Sequence, residues 1–460
     1  MKKENKGLLR SLESILEIVI LTSLYCATWK WGYKAGNIFQ DHFVNGLVPQ
    51  LFLYAIVVLV VFRNSECFQF GQLRITEVIT GQIIGLLIVN VITYVQLCLS
   101  TNQLVAVWPM LVLTIVQGLA AVLLTVAYTS MYHRLFQPHN MLLVYGRSEA
   151  TALKQKMDVR WDKYHVNHMI SVDEGYEAVC REMLKYDAVV LNDIPAQIRN
   201  DILKFCYKNQ IRSYVVPKLT DIIMRGAKEN ALFDTPLLLV KGTGLTLTQR
   251  FVKRAMDIVL CLIAMIVAAP VMLLIALAIK LEDGGPVFYK QERVTRDGKK
   301  FAILKFRSMI VDAEKEGKSI PATDHDPRIT KVGRITRATR IDELPQLLNI
   351  LKGDMSIVGP RPERVEHVEK YSAELPEFDY RLKVRGGLTG YAQIYGKYNT
   401  SAYDKLRLDL MYIENYSLLL DIRLIILTLR IMLSKESTEG FDKAVSAPEK
   451  NIETQERKGA

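Results

Sequence analysis

The chain has 460 residues, half of them hydrophobic, and a formal net charge of +11, so we expect several domains and a partner rich in phosphate. No zinc-finger spacing, RNA-recognition signature or alternation of basic and aromatic residues is present, which argues against nucleic acid. The six cysteines are scattered without a CxxC pair, as expected of buried thiols in a reducing compartment rather than disulfides or zinc ligands.

Residues 1–135 contain four apolar segments that predict a transmembrane four-helix bundle. Each is close to the roughly 20 residues that cross a bilayer, and further membrane segments follow the first, so it is not a cleaved signal. Basic residues flank the set at both ends, which predicts that both ends face the cytoplasm. The segments are Leu8–Trp29, Gly46–Phe62, Ile79–Leu99 and Leu104–Tyr128.

Residues 139–245 alternate between short apolar strands and amphipathic helices. This alternation predicts a Rossmann-like, doubly wound parallel sheet. Only Gly146 follows the first strand, where a dinucleotide fingerprint has three glycines, so a ligand-free regulatory or assembly domain is favoured over a nucleotide site. The predicted strands are Met141–Tyr145, His165–Ile170, Asp187–Leu191 and Ile211–Val216, and the predicted helices are Glu149–Lys156, Glu174–Lys185, Pro195–Lys208 and Leu219–Arg225.

A fifth apolar segment, Ala255–Ile279, is interrupted by Pro270. Because proline kinks or breaks a helix, the segment is either a kinked spanning helix or a re-entrant membrane helix over 252–281. Basic residues on both sides favour re-entry, with both ends on the cytoplasmic side.

The stretch from Ile341 to Pro362 carries the strongest chemical signal. Asp342 and Glu343 precede an apolar helical run with Pro345 in its first turn, which predicts Asp342 as the N-cap. Arg361 lies between two prolines that stiffen its turn. A helix N-terminus, an acidic pair and a fixed guanidinium suit a phosphate-handling site, although ordinary capping remains the alternative.

Basic residues converge on this stretch from two sides. A predicted strand, Phe301–Phe306, leads Lys305 and Arg307 towards it. Five basic residues at a spacing of three end in Arg337 and Arg340, immediately before the acidic pair. Because a step of three spirals around a helix, most of the five are expected to face solvent.

Residues 250–434 resemble the bacterial sugar transferase family, the monotopic phosphoglycosyl transferases, in the order and spacing of several motifs. The preceding domains resemble the long form of that family. The resemblance implies an α/β catalytic domain that moves a sugar-1-phosphate from a UDP-sugar to undecaprenyl phosphate. It implies a multi-pass protein of the inner membrane, active at the cytoplasmic face, that initiates exopolysaccharide, capsule or O-antigen synthesis. The motifs are GGPVFYKQERV, FAILKFRSM, DPRITKVGRITR, IDELPQLLNILKGDMSIVGPRP and GLTGYAQIYGKYN.

The resemblance also implies roles for individual residues. Asp342 would be the nucleophile that expels UMP and forms an aspartyl-phosphosugar intermediate, and Glu343 would help it hold Mg²⁺. The substrate phosphates would be bound by Arg361, Lys305, Arg307, Arg337, Arg340 and Gln393, although a structural ion pair is an equal alternative for Lys305 and Arg307.

Two positions depart from the family pattern. Arg340 stands where many members have a small hydroxyl residue, and Gly386 replaces a common proline, which predicts a more flexible loop.

Several alternatives remain open at this point. The rivals are a membrane glycosyltransferase that releases UDP and a non-catalytic scaffold or regulator with a nucleotide-sensing domain. The sugar is undetermined, as is whether the chain forms a homo-oligomer. Asp421–Ser434 is either a core helix or one lying in the membrane interface, and residues 435–460 are expected to be disordered.

Overall fold

The N-terminal part of the protein is a helical bundle with a buried aromatic core. Helix α1 packs along α2 and α4, and α3 packs between α2 and α4. Tyr25 and Tyr54 stack at its centre with ring centroids 4.2 Å apart. The helices are α1 Lys2–Thr28, α2 Leu47–Asn64, α3 Ile75–Thr101 and α4 Trp108–Leu135. The computed structural model describes residues 2–34, 47–136, 138–146, 150–311, 313, 326–396 and 400–432.

Within the described residues, four helices are long and apolar enough to cross a membrane, namely α2, α3, α4 and α9 (Leu247–Asp283). Helix α1 carries two buried acids, Glu13 and Glu17. Gln82 of α3 donates a hydrogen bond to Glu17 at 2.7 Å. The N-terminal bundle thus combines three apolar helices with a fourth that buries two carboxylates.

The middle domain is a four-stranded parallel sheet in the order β2-β1-β3-β4, which confirms the predicted parallel α/β domain. Alternate residues of β1 face opposite sides. Leu142 and Val144 pack into one core cluster, and Met141 and Leu143 pack into another. The elements are β1 His139–Tyr145, α5 Thr151–Asp158, β2 Tyr164–Ser171, α6 Tyr176–Met183, β3 Ala188–Asn192, α7 Ala196–Lys208, β4 Arg212–Val215 and α8 Leu219–Arg225.

An antiparallel hairpin that the sequence pattern did not predict follows this domain. Strands β5 (Lys228–Leu232) and β6 (Thr235–Leu239) pair with each other, and every residue of both strands is exposed. Because neither strand alternates between buried and exposed positions, the usual period-two signal is missing.

Within the described residues, the C-terminal half combines a two-stranded hairpin, a small parallel pair of strands and seven α-helices around two clusters of buried apolar residues. Strands β7 (Phe288–Val294) and β8 (Lys300–Phe306) are antiparallel, whereas β9 (Ser356–Val358) and β10 (Gly387–Thr389) are parallel. The helices after α9 are α10 Lys331–Ala338, α11 Gln346–Lys352, α12 Val365–Glu374, α13 Tyr391–Tyr395, α14 Ala402–Glu414 and α15 Leu418–Met432.

Helix α9 contacts this domain near its N-terminal end through buried charges. Lys253 forms an ion pair of 2.6 Å with Asp421, and Asp257 accepts hydrogen bonds from the Ser356 hydroxyl at 2.8 Å and the Ile357 amide at 3.1 Å. These polar contacts hold the start of α9 against β9 and α15.

The C-terminal end of α9 contacts the same domain. Glu282 accepts a hydrogen bond of 2.7 Å from the Lys331 amide, and Asp283 forms an ion pair with Arg307. Between the two ends, α9 is one unbroken helix of 37 residues with Pro270 inside it, rather than two helices joined by a turn. A proline in a helix removes one backbone hydrogen bond without necessarily ending the helix.

Helix α15 is a core helix, because Leu424 and Leu427 are fully buried. It also joins the C-terminal half to the bundle. Arg423 forms an ion pair with Glu66, which follows α2, and Arg430 lies 3.6 Å from the same carboxylate. Of the two alternatives for Asp421–Ser434, the structure therefore supports the core helix, and the tail at 435–460 lies outside the described residues.

Candidate active site

The acidic pair lies in a 3₁₀ turn, Ile341–Glu343, between α10 and α11. Arg340 starts this turn with a left-handed φ of 55°. The expected N-cap role of Asp342 is wrong, since α11 begins at Gln346. Pro345 has no N–H to bond back to the Ile341 carbonyl, so the Leu344 amide closes that turn instead, at 3.1 Å.

The Glu343 carboxylate is held by two cations. Lys305 Nζ lies 2.7 Å and Arg361 Nη2 lies 3.0 Å from the same oxygen, Oε1. These two positive charges outweigh burial and hold the pKa of Glu343 well below its usual value. Burial lowers the pKa of Lys305, and the charge of Glu343 raises the pKa of Arg361.

Asp342 is half-buried, and within the described residues its carboxylate makes no side-chain hydrogen bond. Burial raises its pKa, and the negative charge of Glu343 adds to that rise. The positive charges of Lys305, Arg337 and Arg361 act in the opposite direction. The turn therefore presents one ion-paired acid and one uncommitted acid side by side.

A buried ion pair contacts the backbone of Arg361. Arg381 donates a hydrogen bond of 2.9 Å to the Arg361 carbonyl and one of 2.8 Å to Asp409. Arg381 is 3% exposed and Asp409 is 1% exposed. Sequence reasoning missed this pair, and the available signal was an aspartate at helical spacing with the apolar residues Leu406 and Ile413 of α14.

Arg293, on β7, is a second residue that the sequence analysis did not single out. Its Nη1 lies 3.1 Å from the Pro362 carbonyl. Burial, with the nearby charge of Arg361, lowers the pKa of Arg293 to about 10. Arg361 repels the Arg293 guanidinium, and the buried carboxylate of Glu363 partly offsets that repulsion.

The remaining predicted residues are less directly connected to the acidic pair. Arg307 pairs with Asp283 at the end of α9, and Arg340 is exposed to solvent. Gln393 donates a hydrogen bond of 2.9 Å to the Leu388 carbonyl. Pro270 lies in the apolar middle of α9. Gly386 is buried, and a Cβ there would lie 2.5 Å from Pro362, so close packing restricts this residue.

The described residues contain no group of three or more His, Cys, Asp and Glu side chains that could hold a metal by themselves. Asp342 and the Oε2 atom of Glu343 nevertheless offer carboxylate oxygens of the kind that Mg²⁺ prefers. Because Mg²⁺ commonly binds one or two carboxylates together with substrate phosphates and water, the acidic pair fits such a shared site.

Residues 248–435 match the bacterial sugar transferase family model. The chain is 38% identical to a UDP-N-acetylgalactosamine-undecaprenyl-phosphate N-acetylgalactosaminephosphotransferase of Aeromonas hydrophila, over 55% of this chain and 60% of that protein. It is 43% identical to a UDP-glucose:undecaprenyl-phosphate glucose-1-phosphate transferase of Escherichia coli K12, over 45% and 43% of the two chains.

A protein of Caulobacter vibrioides with the same description as the E. coli relative is 42% identical over 40% of this chain and 71% of its own length. The alignments span about half the length of the Aeromonas and E. coli proteins. The matched region contains the 3₁₀ turn, β7, β8 and the Arg361 loop. The chain belongs to the bacterial sugar transferase family.

Proposed function

We propose that the protein transfers a sugar-1-phosphate from a UDP-sugar to undecaprenyl phosphate and releases UMP. The observation that carries this proposal is the difference between the two carboxylates of the 3₁₀ turn. Glu343 is neutralised by Lys305 and Arg361, whereas Asp342 keeps its carboxylate uncommitted. A carboxylate nucleophile needs no general base at neutral pH.

In the first half-reaction, an Asp342 oxygen bonds to the sugar-bearing phosphorus. The phosphoanhydride bond breaks, and UMP leaves with the bridging oxygen and its electron pair. In the second half-reaction, an oxygen of undecaprenyl phosphate attacks the same phosphorus. The bond to Asp342 breaks, which restores the carboxylate and releases the lipid diphosphate sugar.

The cations around the turn address the main electrostatic obstacle. At about 4 Å and an effective dielectric near 20, each pair of like unit charges costs about 4 kcal/mol, so an aspartate approaching a diphosphate is strongly repelled. Arg361, Lys305, Arg337 and Arg293 place positive charge where it offsets this repulsion.

Mg²⁺ is the proposed cofactor. Asp342 and Glu343 would hold it together with substrate oxygens, and when bound it would supply further positive charge to the phosphates. The proposed substrate-binding residues also include Arg307, Arg340 and Gln393. The substrate would have to reach these side chains where they now lie, away from the acidic pair.

The domain arrangement agrees with catalysis at the cytoplasmic face of the inner membrane. Both ends of α9 contact the same α/β domain, and its apolar middle is exposed, which supports a re-entrant rather than a spanning helix. The proposed domains are the bundle at 1–135, a Rossmann-like domain at 139–245 and the catalytic domain at 250–434. The family relationship suggests a role in starting exopolysaccharide, capsule or O-antigen synthesis.

A nucleotide assay tests the proposal. The full chain in detergent is incubated with undecaprenyl phosphate, Mg²⁺ and a panel of UDP-sugars, and the released nucleotide is identified. We expect UMP. Release of UDP would instead indicate a glycosyltransferase, and release of neither nucleotide with any sugar would support a scaffold or regulator.

A further inference from the structure

The start of every strand in the middle domain lies on the side of the sheet nearest the bundle. Strand β1 begins at His139, directly after α4 ends at Leu135. Strands β2, β3 and β4 are parallel to β1, and Tyr164 of β2 lies beside His139 in the register. The turns that precede β2, β3 and β4 therefore lie along one edge, which we call the bundle-proximal edge.

One of these turns touches the bundle directly. The turn 159–163 precedes β2, and its Arg160 donates a hydrogen bond of 2.8 Å to the Gln72 carbonyl in the loop between α2 and α3. Asp162 pairs with Arg160 at 2.9 Å and neutralises it. Because helix ends of an apolar bundle lie at the membrane surface, this contact places the turn at the depth of the lipid headgroups.

The bundle-proximal edge exposes large apolar side chains next to lysines. Trp161 is 74% exposed and Tyr207 is 90% exposed. Leu184 is also exposed, in the turn before β3. A lysine lies in or directly before each turn, at Lys163, Lys185 and Lys208.

The opposite edge of the sheet has different chemistry. The turns that follow β2 and β3 carry acidic residues, with Asp173 and Glu174 in one and Asp193 in the other. The bundle-proximal edge is therefore aromatic, with lysines that stand beside acids (Lys185 pairs with Glu182 at 2.6 Å), whereas the turns of the other edge are acidic. Tryptophan and tyrosine favour the interface between headgroups and hydrocarbon, and lysines are attracted to anionic lipid.

We propose that the bundle-proximal edge rests on the leaflet next to the catalytic domain, with the Trp161 indole in the headgroup layer at one end of the edge and Tyr207 at the other end. The Arg160 contact to Gln72 holds the turn at the correct depth. The membrane then orients the middle domain, which needs no ligand of its own for this role. The inference depends on the apolar bundle lying in a bilayer and not on the transferase chemistry.

Tryptophan quenching in lipid nanodiscs tests this proposal on the full chain. The chain has four tryptophans, and the other three, Trp29, Trp31 and Trp108, lie at the far end of the bundle. Replacing those three by phenylalanine leaves Trp161 as the only reporter. We expect strong quenching by lipids brominated near the headgroup, weaker quenching by deeply brominated lipids, and protection from aqueous iodide.

A matched control moves the indole to the acidic edge. In the single-tryptophan background, Trp161→Phe is combined with Tyr176→Trp, at an exposed position just after β2, and this indole should be quenched by iodide and not by bromolipid. If the triple variant does not fold, the difference in quenching between the native chain and Trp161→Phe reports the same indole. Iodide quenching of Trp161 without bromolipid quenching would overturn the proposal. Insensitivity to both quenchers would also overturn it, since the indole would then contact protein.

Discussion

Asp342 and Glu343 are neighbours in one 3₁₀ turn, yet their surroundings affect their carboxylates in opposite ways. Lys305 and Arg361 lower the pKa of Glu343, whereas burial raises the pKa of Asp342. The folded protein therefore favours the charge on Glu343 and disfavours the charge on Asp342. A destabilised anion next to fixed cations is well suited to attack phosphorus.

Replacing Asp342 by asparagine should abolish activity without weakening the fold. An acid whose pKa is raised by folding destabilises the protein at pH values above that pKa, so the neutral amide should raise the melting temperature. Loss of the proposed nucleophile should reduce UMP release by at least about a thousandfold, which corresponds to about 4 kcal/mol. Thermal unfolding and UMP release, measured on one preparation, test both statements.

Two comparisons sharpen this experiment. Glu343→Gln should lower the melting temperature. Folding lowers the pKa of Glu343, so the ionised carboxylate stabilises the folded protein at pH values above its unfolded pKa. This stability is lost as the pH falls through the folded pKa. Asp297→Asn, in an exposed pair with Arg296, should change neither property appreciably. An Asp342→Asn variant that keeps native turnover would contradict the proposed role of Asp342 as the nucleophile.

The pH dependence of turnover should report the ionisation of Asp342. Since its pKa is raised, activity should fall on acidification at a higher pH than for an ordinary aspartate. Lys305 is the positive charge that most lowers this pKa, so Lys305→Met should move the acid limb to still higher pH. Measured rates of UMP release between acidic and neutral pH give the limb, and a shift to lower pH would contradict the account.

The pair Arg381–Asp409 should position Arg361. Arg381→Met leaves a buried aspartate unpaired, which should cost about 3–5 kcal/mol of unfolding free energy and reduce turnover. In the double variant Arg381→Met/Asp409→Leu, no unpaired aspartate remains, and Glu363, which loses Arg381, keeps Lys405 at 3.5 Å, so most of the stability should return. If the Arg361 carbonyl contact matters, activity should stay low in the double variant, and full recovery would show that the pair is only structural.

The sequence predicted the main elements well where apolar periodicity was strong. All four parallel strands of the middle domain begin within two residues of their predicted starts, since buried strands have short apolar runs bounded by polar turns. Local patterns could not reveal the 3₁₀ turn. It depends on which backbone amide bonds to the Ile341 carbonyl when Pro345 has no N–H to donate, and in the structure this is the Leu344 amide. For contacts between distant segments, such as Arg381 with Asp409 and Glu66 with Arg423, local patterns do not identify the partner residue.

Site-directed labelling should show both ends of α9 on one side of the membrane. Lys253 is buried against Asp421 and would report poorly, so we choose the exposed positions Thr248 and Lys290. Single cysteines at these positions, in a background without the native cysteines, should react equally with a membrane-impermeant reagent in inside-out vesicles. Reaction from opposite sides would show a spanning helix, and a straight helix of 37 residues, about 55 Å long, could span a bilayer.

The most direct test of the central claim is to look for the bond between Asp342 and phosphorus. The purified full chain is incubated with Mg²⁺ and its UDP-sugar without lipid acceptor, quenched in acid and digested, and the peptide containing Ile341–Glu343 is analysed by mass spectrometry. The account predicts a sugar-phosphate adduct on Asp342 and release of about one UMP per enzyme. An unmodified Asp342 in a preparation that completes the full reaction once undecaprenyl phosphate is added would contradict it.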